Sequence, residues 1–156
     1  MIPVTGVVPI DQMIGDCEED TIQLRLLAAK AADYLRSFPW CATILESYFG
    51  GGVGKIFGVF CYHIVPARAD VDEWLWVVAG DIPSTYIQVI DECRTPVEVF
   101  ETYDWGMTKW IDLARQGRTS PDLPPVNVPS TPEWAEELDG RLQMLRPVIK
   151  PFLFAA

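Results

Sequence analysis

The stretch FGGGVGKIFG (Phe49–Gly58) decides how the surrounding chain is read. Glycines at 50, 51, 52 and 54 ahead of Lys55 resemble a phosphate-binding loop. Such a loop needs G-x-x-x-x-G-K followed by Ser or Thr at a strand-to-helix junction. The hydroxyl goes to magnesium and the helix N-terminus faces the phosphates. Counting back from Gly54-Lys55, the first required glycine is Phe49, and the required hydroxyl is Ile56. The run after Lys55, IFGVFCYHIV, is rich in β-branched and aromatic residues and reads as a strand. The glycines instead suit a turn between two strands, where positive φ angles are needed. The stretch is a hairpin.

Working outward, four β-like runs share this character: 41–49, 55–65, 73–80 and 84–90. Short breaks bearing Gly, Pro or Asp separate them. Connections of that length join antiparallel neighbours, since parallel strands need a crossover of about a dozen residues or more. WLWVV (74–78) is apolar on both faces and belongs in the centre of the sheet. Before the runs, GDCEEDTIQLRLLAAKAADYLRSF (15–38) predicts a helix, with Asp16 and Glu19 as a capping box. Leu24, Leu27, Ala28, Ala31, Leu35 and Phe38 fall on its inner face, and Pro39 closes it. After the runs, Thr95, Pro96 and Glu98 open a second helix that Gly117 stops. Its buried stripe is Phe100, Tyr103, Met107, Trp110, Ile111 and Ala114. Thr131 and Pro132 open a third, with Trp134, Leu138, Leu142, Leu145 and Ile149 inward. The expectation is one α+β domain over 1–156 in the order α-β-β-β-β-α-α. It consists of a four-stranded antiparallel meander with one N-terminal and two C-terminal helices against one sheet face. An apolar arm (1–15) precedes it, and a proline-rich connection (118–130), extended along the surface, joins the last two helices.

The net charge of −10, from 12 Lys+Arg against 22 Asp+Glu, argues against nucleic acid and anionic membrane as partners and fits a basic protein. The N-terminal stretch lacks the pattern of a signal peptide, and no apolar run reaches the ~20 residues of a membrane span, so a cytoplasmic location is expected. Cys17, Cys41, Cys61 and Cys93 form no CxxC pair, and His63 is the single histidine. The cysteines read as small buried apolar residues, and neither a metal nor a cofactor is implied.

No complete catalytic signature appears. Ser84 lacks a G-x-S-x-G context, and Asp81 before Ile-Pro-Ser reads as a turn residue. Strand alternation puts His63 on the side of Phe57, Val59 and Cys61, too far along the strand from Cys61 for a nucleophile pair. More informative is Trp105, which a helical wheel places at about 140° when the apolar stripe centres at about 320°. Glu98, Glu101, Lys109 and Asp112 surround it. Either the 121–129 segment folds over this indole, or it is an exposed anchor for a basic partner. Asp70, Asp72 and Glu73 form a second acidic candidate. Ile22, Leu26 and Ala29 make a short apolar seam on the outer side of the first helix, which either packs under the N-terminal arm or is a candidate homodimer contact.

In VDEWLWVVAGDIPSTYI (71–87), TPVEVF (95–100), MTKWIDLARQG (107–117) and PPVNVPSTPEWAEELDGRL (124–142), the chain resembles a family of small, acidic, uncharacterised bacterial proteins. The resemblance runs from about Ile56 to Arg146 and carries over no activity and no functional residue. In size, charge and lack of catalytic residues the chain is also similar to immunity proteins of bacterial toxin systems, which occlude a toxin by charge and shape. That likeness implies a non-enzymatic inhibitor of a basic toxin, with Trp105, Glu98, Glu101 and Asp112 as the contact patch. The competing expectation is a small-molecule binder or small enzyme with a pocket between sheet and helices, using His63, Tyr62, Tyr86 and Asp81.

Overall fold

The glycine stretch is the tip of a long antiparallel hairpin in the computed structural model, which describes residues 2–123, 126 and 128–155. Strand β2 (Cys41–Val53) runs into β3 (Phe57–Pro66), with Phe49 opposite Phe60 and Gly52 opposite Gly58. Gly51, at φ 115°, needs to be glycine twice over. An L side chain is strained at that angle, and a Cβ there would run into the Phe152 carbonyl. Gly54 carries the turn at φ 47°, and its N–H donates to Asp20 Oδ1, tying the hairpin tip to the first helix.

Strands β4 (Trp74–Gly80) and β5 (Thr85–Gln88) continue the meander as expected, each antiparallel to the one before. Among the described residues the sheet has five strands rather than four. Val8–Pro9 of the arm forms β1, with Val8 opposite Phe49 and Pro9 opposite Tyr48, so the order is β1-β2-β3-β4-β5. A proline is tolerated there because β1 is an edge. β5 stops earlier than its apolar run, since Ile90 to Cys93 turns the chain out of the sheet.

The layers also differ from expectation. Helix α1 (Glu18–Arg36) covers one face of the sheet, while α2 (Pro96–Ala114) and α3 (Pro132–Leu145) cover the other. The central strands require this, because their side chains are buried on both sides. Phe57, Val59, Cys61, Trp76 and Val78 join the α2–α3 core; Phe60, Tyr62, Ile64, Leu75 and Val77 join the α1 core. A sheet apolar on two faces needs a cover on each.

The helix caps follow the sequence with one exception. Thr95 and Glu98 form the reciprocal capping box of α2, Thr95 Oγ1 accepting from Glu98 N at 3.3 Å and Glu98 Oε1 accepting from Thr95 N at 3.1 Å. Such a cap contributes about 1 kcal/mol. Helix α1 is capped by Cys17, whose Sγ accepts from Asp20 N at 3.4 Å, and not by Asp16. Asp16 is held by its own N–H, which donates to Asp20 Oδ2 at 2.8 Å. Of the expected α1 stripe, Leu24, Leu27, Ala28, Ala31 and Leu35 are buried, while Phe38 lies beyond the helix end and is half-buried. In α3 the buried position in the first turn belongs to Ala135, and Trp134 stands 41% exposed. Ile149 is buried beyond the helix, ahead of a 3-10 turn at Lys150–Phe152.

Candidate functional site

Helix α2 is fixed to the sheet by its inward stripe, all six residues of which are buried. The Phe57 ring meets Phe100 edge-on with centroids 5.4 Å apart, and Tyr103 Oη donates to the Pro83 carbonyl at 2.8 Å. The segment entering α2 is pinned from below, where Trp76 Nε1 donates to the Cys93 carbonyl at 2.9 Å. It is pinned from the side where Thr5 N donates to the Arg94 carbonyl at 3.0 Å. With its inner face and its entry both held, α2 has a fixed outer face.

That face carries a groove of about 400 Å³ lined by Glu92, Glu98, Glu101, Thr102 and Trp105. Trp105 is 63% exposed. The described part of the proline-rich connection lies elsewhere: Leu123 and Val126 line a hollow with Trp110 and Tyr86. Pro124, Pro125 and Asn127 of that connection lie outside the described residues. Lys109 Nζ stands 5.8 Å from the Trp105 ring centroid, a cation over an indole face. Glu98 is the most constrained acid in the groove. Its Oε1 alone accepts from Arg94 N at 3.0 Å, Thr95 N at 3.1 Å and Thr95 Oγ1 at 3.1 Å.

The electrostatics separate this groove from the rest of the helical layer. Arg115 bridges α2 to α3 through Glu136 at 2.8 Å and Asp139 at 3.1 Å, and Arg146 pairs with Asp104 at 2.9 Å. Hydrogen bonding to Glu136 and to Asp104, respectively, raises the guanidinium pKa of each above its ordinary value. Glu92, Glu98 and Glu101, by contrast, form no ion pair among the described residues. Glu92, Glu101 and an exposed indole therefore face solvent together, with the half-buried Glu98 and one lysine beside them.

The structure brings together Trp105, Glu98 and Glu101 of the expected patch. It adds Glu92 and Thr102, and leaves out Asp112, which does not line the groove and lies 3.9 Å from Arg115. Glu92 lies on the turn before the helix, beyond the reach of a helical wheel; the outward Trp105 was the sequence signal that marked the place. Asp70, Asp72 and Glu73 occupy the β3–β4 connection, where Arg68 approaches Asp70 at 3.3 Å; none of them lines the Trp105 groove. On α1, Ile22 and Leu26 are exposed, so the N-terminal arm does not cover that seam.

The four polar groups expected in a sheet–helix pocket do not converge. Tyr62 is buried under α1 with its hydroxyl donating to the Ala28 carbonyl at 3.3 Å, and burial raises its pKa. His63 points to the opposite face, stacked on Trp74 with centroids 4.3 Å apart and its Nδ1 3.4 Å from Glu46 Oε2. Tyr86 belongs to an aromatic cluster with Phe38 and Trp40, each at 5.1 Å. Asp81 sits on the β4–β5 turn, 3.8 Å from Arg141.

Burial pushes the Cys61 thiol up to about 12, with Cys93 nearby adding to the effect, and raises Cys41 and Cys93 as well. Those three stay protonated at neutral pH and are poor nucleophiles. Cys17, expected to be buried, is exposed. A colorimetric thiol titration of the folded protein at pH 8 is expected to show one fast-reacting thiol, absent in Cys17→Ser, and three that react only after unfolding. No group of three or more His, Cys, Asp or Glu suited to hold a metal ion occurs among the described residues, and no helix there is long and apolar enough to cross a membrane. Comparison with protein-family models, with curated proteins and with solved structures finds no match.

Proposed function

We propose that this chain is a protein-binding domain whose Trp105 groove receives a basic partner, in the manner of an immunity-type inhibitor that occludes a basic toxin. The observation that carries the reading is the exposed Trp105 set among three carboxylates to which no cation is paired among the described residues. Trp is among the side chains enriched as interface anchors, because it offers a large rigid surface with one polar atom. A partner's arginine or lysine entering the groove finds the indole face and the carboxylates at once, and displaces Lys109 from the ring.

The chain's charge of −10 adds a longer-range effect. It accelerates encounter with a cationic surface, and the groove then holds the complex by desolvating the anchor. Exposed charges are screened beyond about 8 Å at physiological ionic strength, so association slows as salt is added. Because Glu101 is exposed and makes no ion pair among the described residues, Glu101→Lys is expected to leave the thermal midpoint near that of the parent. It should reduce retention of a basic partner in a pull-down and flatten the salt dependence of what remains. Unchanged retention by Glu101→Lys would remove the groove from the binding surface.

A further inference from the structure

A second cavity, about 380 Å³, shares no residue with the Trp105 groove. It lies between the end of α3, the Lys150–Phe152 turn and the tips of two hairpins. Ile82, Leu145 and Ile149 are buried in its floor; Ile56, Met144 and Val148 are exposed around its rim, Met144 at 75%. The volume falls within the range of small-molecule sites, which are mostly apolar with a few convergent polar groups. Here the charged lining residues are Asp81 and Arg141.

Arg141 differs from the other two arginines that brace the helices. Arg115 and Arg146 hold carboxylates at 2.8–3.1 Å, the distance of charge-assisted hydrogen bonds. Among the described residues, the closest carboxylate contacts of Arg141 are 3.5 Å to Glu137 and 3.8 Å to Asp81. Its planar fork of donors is thus loosely engaged at the edge of an apolar hollow, the arrangement that suits a bidentate carboxylate. We infer that this cavity binds a small amphiphilic carboxylate, its apolar body on Ile149 and Leu145 and its head on Arg141. The acids Asp81 and Glu137 beside Arg141 set the competing outcome, an ammonium head in place of a carboxylate.

This site is independent of the Trp105 groove and is tested on the whole chain by calorimetric titration with octanoate, octylamine and octanol. Octanoate is expected to bind saturably below its micellar range and more tightly than octanol. Arg141→Gln should weaken octanoate at least tenfold while leaving octanol unchanged. Val148→Asp, on the exposed rim, should abolish octanoate binding with the thermal midpoint retained, which covers the case of an Arg141 variant that folds poorly. Absence of saturable octanoate binding, equal affinity in Arg141→Gln, or tighter binding of octylamine would each overturn it.

Discussion

Replacing Trp76 with alanine is expected to destabilise the fold by about 4 kcal/mol, the cost of deleting a large aromatic from a packed core. Trp76 is fully buried in the centre of β4, between Cys61 of β3 and Ile87 of β5, on the face that receives α2. Its indole does two things. It fills the layer between sheet and helix, and its Nε1 holds the Cys93 carbonyl at 2.9 Å, fixing the segment that feeds the Trp105 groove. Alanine leaves a large cavity and an unpaired buried carbonyl; phenylalanine leaves the same unpaired carbonyl, at about 1–3 kcal/mol, with a smaller cavity. For a chain of this size about 4 kcal/mol corresponds to a fall of roughly 8–16 °C in the thermal midpoint. Denaturation of the two variants beside the parent checks the order alanine, phenylalanine, parent. A Trp76→Ala variant as stable as the parent would show that this layer does not hold the sheet to α2.

Replacing Trp105 with alanine is expected to do the reverse, changing binding greatly and stability little. With 63% of the residue exposed, the folded state loses little more than the contact with Lys109, less than about 1 kcal/mol. At the proposed interface the same truncation is expected to remove the anchor, and a hot-spot loss of about 2 kcal/mol or more corresponds to roughly 30-fold weaker binding. Trp76 and Trp105 thus make an internal control, two tryptophans on either side of one helix with opposite expected outcomes.

What the sequence made legible was local. The failed phosphate-loop pattern identified the hairpin, the Thr95–Glu98 spacing placed the start of α2, and helical periodicity separated inward Phe100 and Tyr103 from outward Trp105. What it left hidden depends on contacts distant in sequence. The two residues of β1 pair with Phe49 and Tyr48 across about 40 positions, and nothing in Val8–Pro9 itself announces a strand. Helices on both faces were implied by the two-sided apolar character of WLWVV, but that implication conflicts with the one-faced arrangement expected from element order. Cys17 in place of Asp16 reflects competition among neighbouring polar groups for the same few N–H donors at a helix start. The site shows the same division. A wheel gives angle but not height, so Asp112 shared the azimuth of Trp105 while lying about 10 Å farther along the axis at 1.5 Å per residue. Glu92 became visible only when the turn at Ile90–Cys93 carried it to the groove.

Binding of a basic protein at an exposed tryptophan among unpaired acids is tested most directly with two baits, the parent chain and Trp105→Ala. Each captures partners from lysate of the source organism, after the two have been shown to have equal thermal midpoints. The expected result is a basic protein held in near-stoichiometric amount by the parent, released by salt, and lost from the Trp105→Ala bait. Retention of the same protein in equal amount by both baits would contradict the proposed role of the groove.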